Sequence, residues 1–216
     1  MDNPCSLSFD SLRREIVGAD APVNTPFGER LMVYADYTAS GRCLGFVEKY
    51  IQNLQRIYAN THTEDDISGR SMTRLVEQAE QSIKESVNAG PDGRIICVGS
   101  GATGAIDKLQ QIVGVAFPPA TRQILTGMLK GAIGEEADER FTDYLRNKQP
   151  VVFVGPYEHH SNEISWREGL ATVVEVNLDA DGGIDLTHLE QLLQDSRYHG
   201  RKRIGSFSAA SNVTGM

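Results

Sequence analysis

Residues 151–176 read VVFVGPYEHHSNEISWREGLATVVEV. The valine-rich runs 151–154 and 171–177 are predicted strands, because short apolar runs bounded by turn residues are typical of buried strands. A polar turn at 158–163 and a helix over about 161–169 separate the two runs. Strands joined through a helix pair in parallel, so the stretch predicts an α/β fold with a mainly parallel sheet and helices on both faces.

The same alternation of helices and strands continues along the chain. Further strands are predicted at 31–35, 94–98 and 203–210, and helices at 8–18, 43–59, 71–88, 105–115 and 186–195. An N-terminal helical segment therefore precedes the sheet. Residues 118–149 are less regular, and their charged run 135–140 is interpreted as a solvated helix face.

The composition excludes several classes of protein. The 216 residues carry a formal charge of −8 and are 40% hydrophobic, which is ordinary for a globular chain and unsuited to a nucleic-acid-binding surface. The apolar runs are too short to cross a bilayer, and the first residues do not resemble a secretory signal. The cysteines Cys5, Cys43 and Cys97 are widely spaced, which favours a reducing compartment. These features predict a cytoplasmic protein that binds neither nucleic acid nor membrane.

The chain stops at Met216, shortly after its last predicted strand. In an α/β domain a crossover helix normally follows such a strand. We therefore expect this chain to be the N-terminal part of a longer protein.

Three polar or glycine-rich clusters follow predicted strands. They are GSGATG at 99–104, YEHHSN at 157–162 and SNVTG at 211–215. Ligands of α/β sheets bind beyond the carboxyl ends of the strands, so the three clusters are predicted to line a ligand site.

The first cluster is typical of a helix start that binds phosphate. The glycines leave backbone N–H groups exposed, the helix dipole favours an anion, and Thr103 adds a hydroxyl group. The pattern G-x-G-x-x-G also suggests a nicotinamide-dependent oxidoreductase. However, no acidic residue lies between 108 and 134 to bind a ribose, and the next strand begins only at 151. A purely structural glycine turn is the third interpretation.

The remaining polar residues each allow a functional and a structural interpretation. Adjacent His159 and His160 point in different directions, so no metal site is predicted. His159 either lies flat on an aromatic ligand and transfers protons, or is a hydrogen-bonded loop residue. Asn212 either donates to a ligand oxygen or occupies a turn. Arg42, in the polar loop 36–42, either meets a carboxylate or lies in a surface turn.

Taken in order, several segments resemble the motifs of one family, the class V aminotransferases of the cysteine-desulfurase and selenocysteine-lyase group. The resemblance runs from about residue 31 to the end of the chain, and the order and spacing of the segments make it specific. The segments are YADYTASGR (34–42), YANTHTE (58–64), VGSGATGAID (98–107), PYEHHSNEISW (156–166) and SNVTG (211–215).

The resemblance implies a fold type I enzyme that uses pyridoxal 5'-phosphate on a small amino-acid substrate and works as a homodimer. Ala102 and Thr103 would hold the cofactor phosphate. His159 would stack on the pyridine ring as the catalytic residue, and Asn212 would bond near the phenolic oxygen of the cofactor.

On the substrate side, the resemblance implies that Asn60 and His62 lie near the mouth of the active site, together with Arg42. It also implies a domain division. Residues 1–30 would belong to the small domain, and residues 31–216 would form the N-terminal part of the cofactor-binding large domain.

The resemblance leaves the reaction open. The family's Schiff-base lysine, the aspartate that pairs with the pyridinium nitrogen and the nucleophilic cysteine of desulfurases would all lie beyond Met216. This chain alone is therefore expected to be inactive. The stretch 114–150 is longer than in compact relatives and suggests an insertion. Desulfuration, transamination, lyase and epimerase chemistry all remain open, as does a non-catalytic scaffold.

Overall fold

The computed structural model describes residues 8–215, which form two compact units, residues 8–96 and residues 97–215. Cys5 and Met216 lie outside the described residues. The predicted domain boundary after residue 30 stays a prediction. Within the described part, no helix combines the length and apolar character that crossing a bilayer requires.

The first unit contains helices and one hairpin. Ser8 and Ser11 form a reciprocal capping box at its first helix, and the Asp66 carboxylate accepts a hydrogen bond from the Gly69 amide at its last. These caps explain where those two helices begin, whereas the helix between them begins without a side-chain cap. Each of the three predicted helices is present. The elements are α1 (Phe9–Glu15), β1 (Pro22–Thr25), β2 (Gly28–Leu31), α2 (Gly45–Gln55) and α3 (Ile67–Ser86).

The predicted strand at 31–35 is wrong, because the chain forms its hairpin earlier. Strands β1 and β2 pair antiparallel, with Thr25 opposite Gly28. The Thr25 hydroxyl donates to the Gly28 carbonyl over 2.7 Å and accepts from the Phe27 amide over 3.2 Å. Gly28 has a φ of +89°, which glycine adopts without strain. This local turn pairs β2 with β1, while residues 32–36 belong to no strand.

The second unit alternates helices with parallel strands. Two 3₁₀ turns, His160–Asn162 and Ser196–Tyr198, precede and follow its short helices. The elements are α4 (Gly101–Val113), α5 (Pro119–Ile133), α6 (Glu135–Lys148), β3 (Val151–Val154), α7 (Ile164–Glu168), β4 (Thr172–Glu175), α8 (Leu186–Gln194) and β5 (Arg203–Ser206).

Strand β3 lies at the centre of the sheet in the second unit. Strands β4 and β5 lie one on each side of it, and both pair with it in the predicted parallel sense. Val152 and Val154 pack on Trp166 of α7 on one face, and Phe153 packs with Leu192 of α8 on the other. Because both faces are buried, the strand reads as an unbroken apolar run.

Residues 118–149 form a helical hairpin in place of the less regular segment that the sequence predicted. Pro119 begins α5, where its missing N–H costs nothing, and Gly134, with a φ of +82°, turns the chain into α6. Acidic side chains in the first turn of α6 complement the helix dipole. The charged run 135–140 therefore belongs to a helix, as interpreted.

Both ends of this hairpin are fixed beside each other. The Leu170 amide donates to the Val115 carbonyl and the Thr172 amide donates to the Pro150 carbonyl, each over 2.8 Å. The hairpin therefore begins and ends next to the start of β4.

The predicted strand at 94–98 is also wrong. These residues belong to no strand, and Ile96 and Val98 are exposed. The β-branched residues of the run have a high strand propensity, but a strand forms only where a partner takes up its hydrogen bonds. Among residues 8–215, no strand pairs with this segment.

Arg201 joins the amino-terminal ends of the three strands. Its Nε donates to the Gln149 carbonyl just before β3, over 2.8 Å, and its guanidinium also donates to the Thr172 hydroxyl at the start of β4. The Gln149 side-chain amide donates to the same hydroxyl over 3.1 Å. Burial lowers the pKa of Arg201 from its usual value. This network holds the sheet at the end opposite to the predicted ligand site.

We expect Phe153→Ala to lower the free energy of unfolding of the second unit by about 3–5 kcal/mol, because it opens a cavity beside Tyr198, whose ring centre lies 5.9 Å away. Urea unfolding followed by the fluorescence of Trp166, the single tryptophan, measures the change. Phe141→Ala is the control in the same unit, since Phe141 is 43% exposed. Equal losses in the two variants would contradict the described core.

Candidate active site

The start of helix α4 presents backbone amides without a side-chain partner. Ser100 and Gly101 both have left-handed backbone conformations, with φ values of 67° and 61°. No side chain caps the helix in the described chain, and no acidic residue occupies its first turn. The N–H groups of the first turn, with Ala102 among its residues, and the hydroxyl of the exposed Thr103 are donors of the kind that bind anions.

A close backbone approach shapes this loop. A Cβ added to Gly104 would lie 2.0 Å from the carbonyl oxygen of Gly99, whereas one added to Gly99 would meet no atom within 4 Å. The Gly104 amide also donates to the Ser100 carbonyl over 3.4 Å. Gly104 therefore allows the loop to fold back against the first turn of α4.

His159 lies in the loop that follows central strand β3, and its ring is exposed. Its Nδ1 accepts a hydrogen bond from the Ser161 amide over 3.2 Å and lies 2.8 Å from the Ser161 hydroxyl. A ring that accepts the amide at Nδ1 has Nε2 as its N–H group. The His160 ring is 6.1 Å from the His159 ring, at an angle of 47°. Among residues 8–215 there is no group of three side chains suited to a metal ion.

Glu158 is a residue of this site that the sequence analysis did not single out. Its carboxylate accepts hydrogen bonds from the Gly155 amide, the Asn162 side chain, and the amide and hydroxyl of Ser208. The bonds from Ser208 connect the loop after β3 with the residues after β5. Glu158 thus ties together the carboxyl ends of two neighbouring strands.

Asn162 continues this network into the core. Its Oδ1 accepts from the Ser206 hydroxyl over 2.6 Å and from the indole N–H of Trp166 over 3.3 Å. Glu158, Asn162 and Trp166 follow one another at intervals of four residues, and Asn162 bonds to both of the others. This interval is the signal for the network that the sequence contains. In the segment E-H-H-x-N-x-x-x-W the bonded residues follow the interval of four, whereas the two exposed histidines do not.

A second network connects the His159 loop with helix α4. The buried Gln110 side chain donates to the Ser165 hydroxyl over 2.7 Å, and that hydroxyl donates to the Ser161 carbonyl over 3.1 Å. The amide of the same Ser161 binds His159. The helix that carries the glycine loop is therefore fixed to the segment that orients the histidine ring.

Asn212 lies in a turn beyond β5, and its side chain is exposed. The buried Ser211 hydroxyl accepts hydrogen bonds from the amides of Val213 and Thr214, and its carbonyl accepts from Gly215. The turn is therefore organised by Ser211. The predicted bond from Asn212 to a ligand stays a prediction.

The three residues predicted on the substrate side belong to the first unit. The Arg42 guanidinium donates to the Val17 carbonyl over 3.0 Å and lies 5.2 Å from the centre of the Tyr34 ring. Asn60 and His62 both lie, exposed, in the loop before α3. Their predicted places near a substrate stay predictions.

The loop with Asn60 and His62 is held firmly at its base. The His62 backbone has a φ of 67°, and its amide donates to the Thr73 hydroxyl over 3.1 Å. The same hydroxyl donates to the Thr63 carbonyl over 3.2 Å. Helix α3 therefore fixes the conformation in which the loop presents the two predicted side chains.

Comparisons with known proteins find chains that are similar to this one in part. No protein-family model matches the chain. The probable cysteine desulfurase of Chlamydia muridarum (strain MoPn / Nigg) is 40% identical to it over 69 residues, and that of Chlamydia trachomatis serovar D is 38% identical over 70 residues. Each alignment covers 30% of this chain and 16% of the relative.

The crystal structure of the cysteine desulfurase CsdA from Escherichia coli is similar to this chain with a TM-score of 0.53 and 23% identity. The match covers 85% of this chain and 39% of that one. The chain shares its fold with part of a cysteine desulfurase. The predicted fold class, an α/β fold of type I with a parallel sheet, is thereby confirmed. The chain spans less than half the length of these similar proteins.

We expect Gly104→Ala to destabilise the second unit by about 1–3 kcal/mol, because the new Cβ would displace the Gly99 carbonyl and the loop with it. Gly99→Ala is the matched control in the same loop, and we expect it to change stability by less than about 0.5 kcal/mol. Urea unfolding followed by Trp166 fluorescence compares the two. A Gly104→Ala variant as stable as the control would contradict the described loop.

Proposed function

We propose that the protein that carries this chain is a pyridoxal-phosphate-dependent enzyme of the cysteine-desulfurase-like kind, acting on a small amino acid. The observation that carries the proposal is the uncapped start of α4, tied through Gln110 and Ser165 to the loop of an exposed histidine. The shared fold with a cysteine desulfurase and the two short alignments support it.

The residues at the start of α4 fit the phosphate group of such a cofactor. Backbone amides, a threonine hydroxyl and the positive end of a helix dipole form a donor set without a competing carboxylate. A Cβ on Gly101 would meet no atom within 4 Å, so the approach to the amides is open. In this proposal the Ala102 and Thr103 amides and the Thr103 hydroxyl bind the phosphate oxygens.

The cofactor, when bound, supplies an electron-accepting ring that withdraws charge from an amino-acid substrate. In this proposal the flat face of His159 packs on that ring. Its Nε2 proton is held in place because the Ser161 amide occupies Nδ1. Asn212 donates its side-chain amide to the phenolic oxygen of the cofactor. Thr103, His159 and Asn212 thus orient three different parts of one small molecule.

The substrate side and the oligomeric state belong to the same proposal. Asn60, His62 and Arg42 would line the approach of the amino acid, and two copies of the protein would form a dimer. The residues described here leave desulfuration, transamination, lyase and epimerase chemistry open. Cysteine is the first substrate to test, because the similar proteins are named cysteine desulfurases.

The first test is an absorbance spectrum of the protein that carries this chain, purified with pyridoxal phosphate. We expect a visible absorbance band, and a mass gain on one lysine peptide after borohydride reduction, because the cofactor binds covalently to a lysine in such enzymes. Substrate screening starts with cysteine. A spectrum without a band, together with an unchanged mass, would overturn the cofactor proposal and favour a non-catalytic scaffold.

The phosphate contact is tested with Thr103→Val, which keeps the shape of the side chain and removes the hydroxyl. A hydrogen bond to a charged group contributes about 1.5–3 kcal/mol, so we expect the dissociation constant for pyridoxal phosphate to rise by roughly 10-fold to 150-fold. Thr103→Ser retains the hydroxyl and is expected to bind like the unchanged protein. Equal affinities for the valine and serine variants would exclude the hydroxyl from phosphate binding.

A further inference from the structure

We propose that Glu158 is a positioning residue. Its carboxylate holds the loop of His159 against the chain that follows β5, and thereby sets where His159 and Asn212 meet the cofactor. The inference rests on the proposed function and names a residue through which two parts of that site are coupled.

The hydrogen bonds of Glu158 use both oxygens of its carboxylate. Oε1 accepts from the amides of Gly155 (3.1 Å) and Ser208 (2.8 Å). Oε2 accepts from the Asn162 side chain (2.7 Å) and from the Ser208 hydroxyl (2.6 Å). Two of these donors belong to the loop after β3, and the other two belong to the residue two positions after β5.

Because of its position in the chain, Glu158 connects the two proposed site residues His159 and Asn212. Glu158 directly precedes His159, and Ser208 lies four residues before Asn212. A shift of the carboxylate therefore moves the loop that carries His159 relative to the residues that lead to Asn212. A Cβ on Gly155 would lie 2.6 Å from Oε1, so the backbone leaves no spare room around the carboxylate.

The chemistry of the contact requires a carboxylate and not merely a side chain of that size. All four partners donate, and an ionised carboxylate only accepts. In Glu158→Gln one oxygen becomes an NH₂ group, which donates and faces donors. The variant keeps the shape of the side chain but leaves N–H groups of Gly155, Ser208 or Asn162 without an acceptor, and such unsatisfied groups shift the backbone that carries them.

A variant at the opposite end of the same sheet tests whether a general loss of stability is enough to explain the effects. Arg201 joins the residues before β3, the start of β4 and the residues before β5. Arg201→Met therefore loosens the same sheet at its amino-terminal edge. If Glu158 served only stability, both variants would weaken the protein and affect the cofactor alike.

The experiment compares the unchanged protein that carries this chain with Glu158→Gln and Arg201→Met. Thermal midpoints of the cofactor-free proteins record stability. Histidine ring ¹⁵N spectra of the cofactor-free proteins record the tautomer of His159, one of five histidines. Titration with pyridoxal phosphate gives the dissociation constant and the position of the visible band.

We expect both variants to lower the thermal midpoint. Only Glu158→Gln is expected to mix the tautomers of His159, to shift the visible band and to raise the dissociation constant by about tenfold or more. Ser208→Ala removes only the hydroxyl donor and is the milder second variant if Glu158→Gln fails to fold. We expect it to cause the same changes, each of them smaller. Arg201→Met is expected to bind pyridoxal phosphate within twofold of the unchanged protein.

Three results would overturn the inference, and they are distinguishable. If the unchanged protein gives no visible band, the proposed function fails and the inference fails with it. The second result is a visible band in the unchanged protein together with Glu158 and Ser208 variants that match it in band position, in dissociation constant and in the His159 spectrum. In that case the inference alone fails. Parallel losses of affinity in the Glu158 and Arg201 variants would also overturn it, since they reflect stability.

Discussion

Burial of β3 on both faces is the constraint on which the second unit depends. A strand with no solvated face needs apolar side chains at every position, a partner strand on each edge and a layer of helices on each side. The run 151–154 meets the first demand, and β4 and β5 meet the second. Helices α7 and α8 meet the third demand, because each of them covers one face of the strand.

The polar groups of the unit are arranged around that apolar centre. Because the strands are parallel, their carboxyl ends coincide, and the chain beyond them must satisfy many backbone donors in a small space. Glu158 does this for the Gly155 and Ser208 amides, and Asn162 accepts from the side chains of Ser206 and Trp166. Arg201 does the converse with donors at the amino-terminal ends. Each side chain bonds to more than one segment, so removing it leaves several groups unpaired.

The sequence predicted those elements that depend on a local pattern of residues. It did not predict features that depend on a partner distant in the sequence. The strand at 151–154, the helix that follows GSGATG and the parallel pairing of the strands were predictable from the apolar period and from the alternation of helices and strands. The segment 94–98 has the same apolar character as β3 but no strand partner, so its propensity did not make it a strand. At the site, the exposed His159 was predictable, whereas the role of Glu158 depends on Ser208, fifty residues away, which no local pattern contains.

The helical hairpin of α5 and α6 has a consequence for how related proteins can differ in length. Its two ends are anchored by neighbouring residues, Leu170 and Thr172, so the chain departs and returns at nearly one point. Lengthening, shortening or exchanging such an excursion during evolution changes neither the strand pairing nor the loops at the carboxyl ends. The hairpin is therefore a place where a lineage can acquire new surface while the rest of the unit is inherited unchanged.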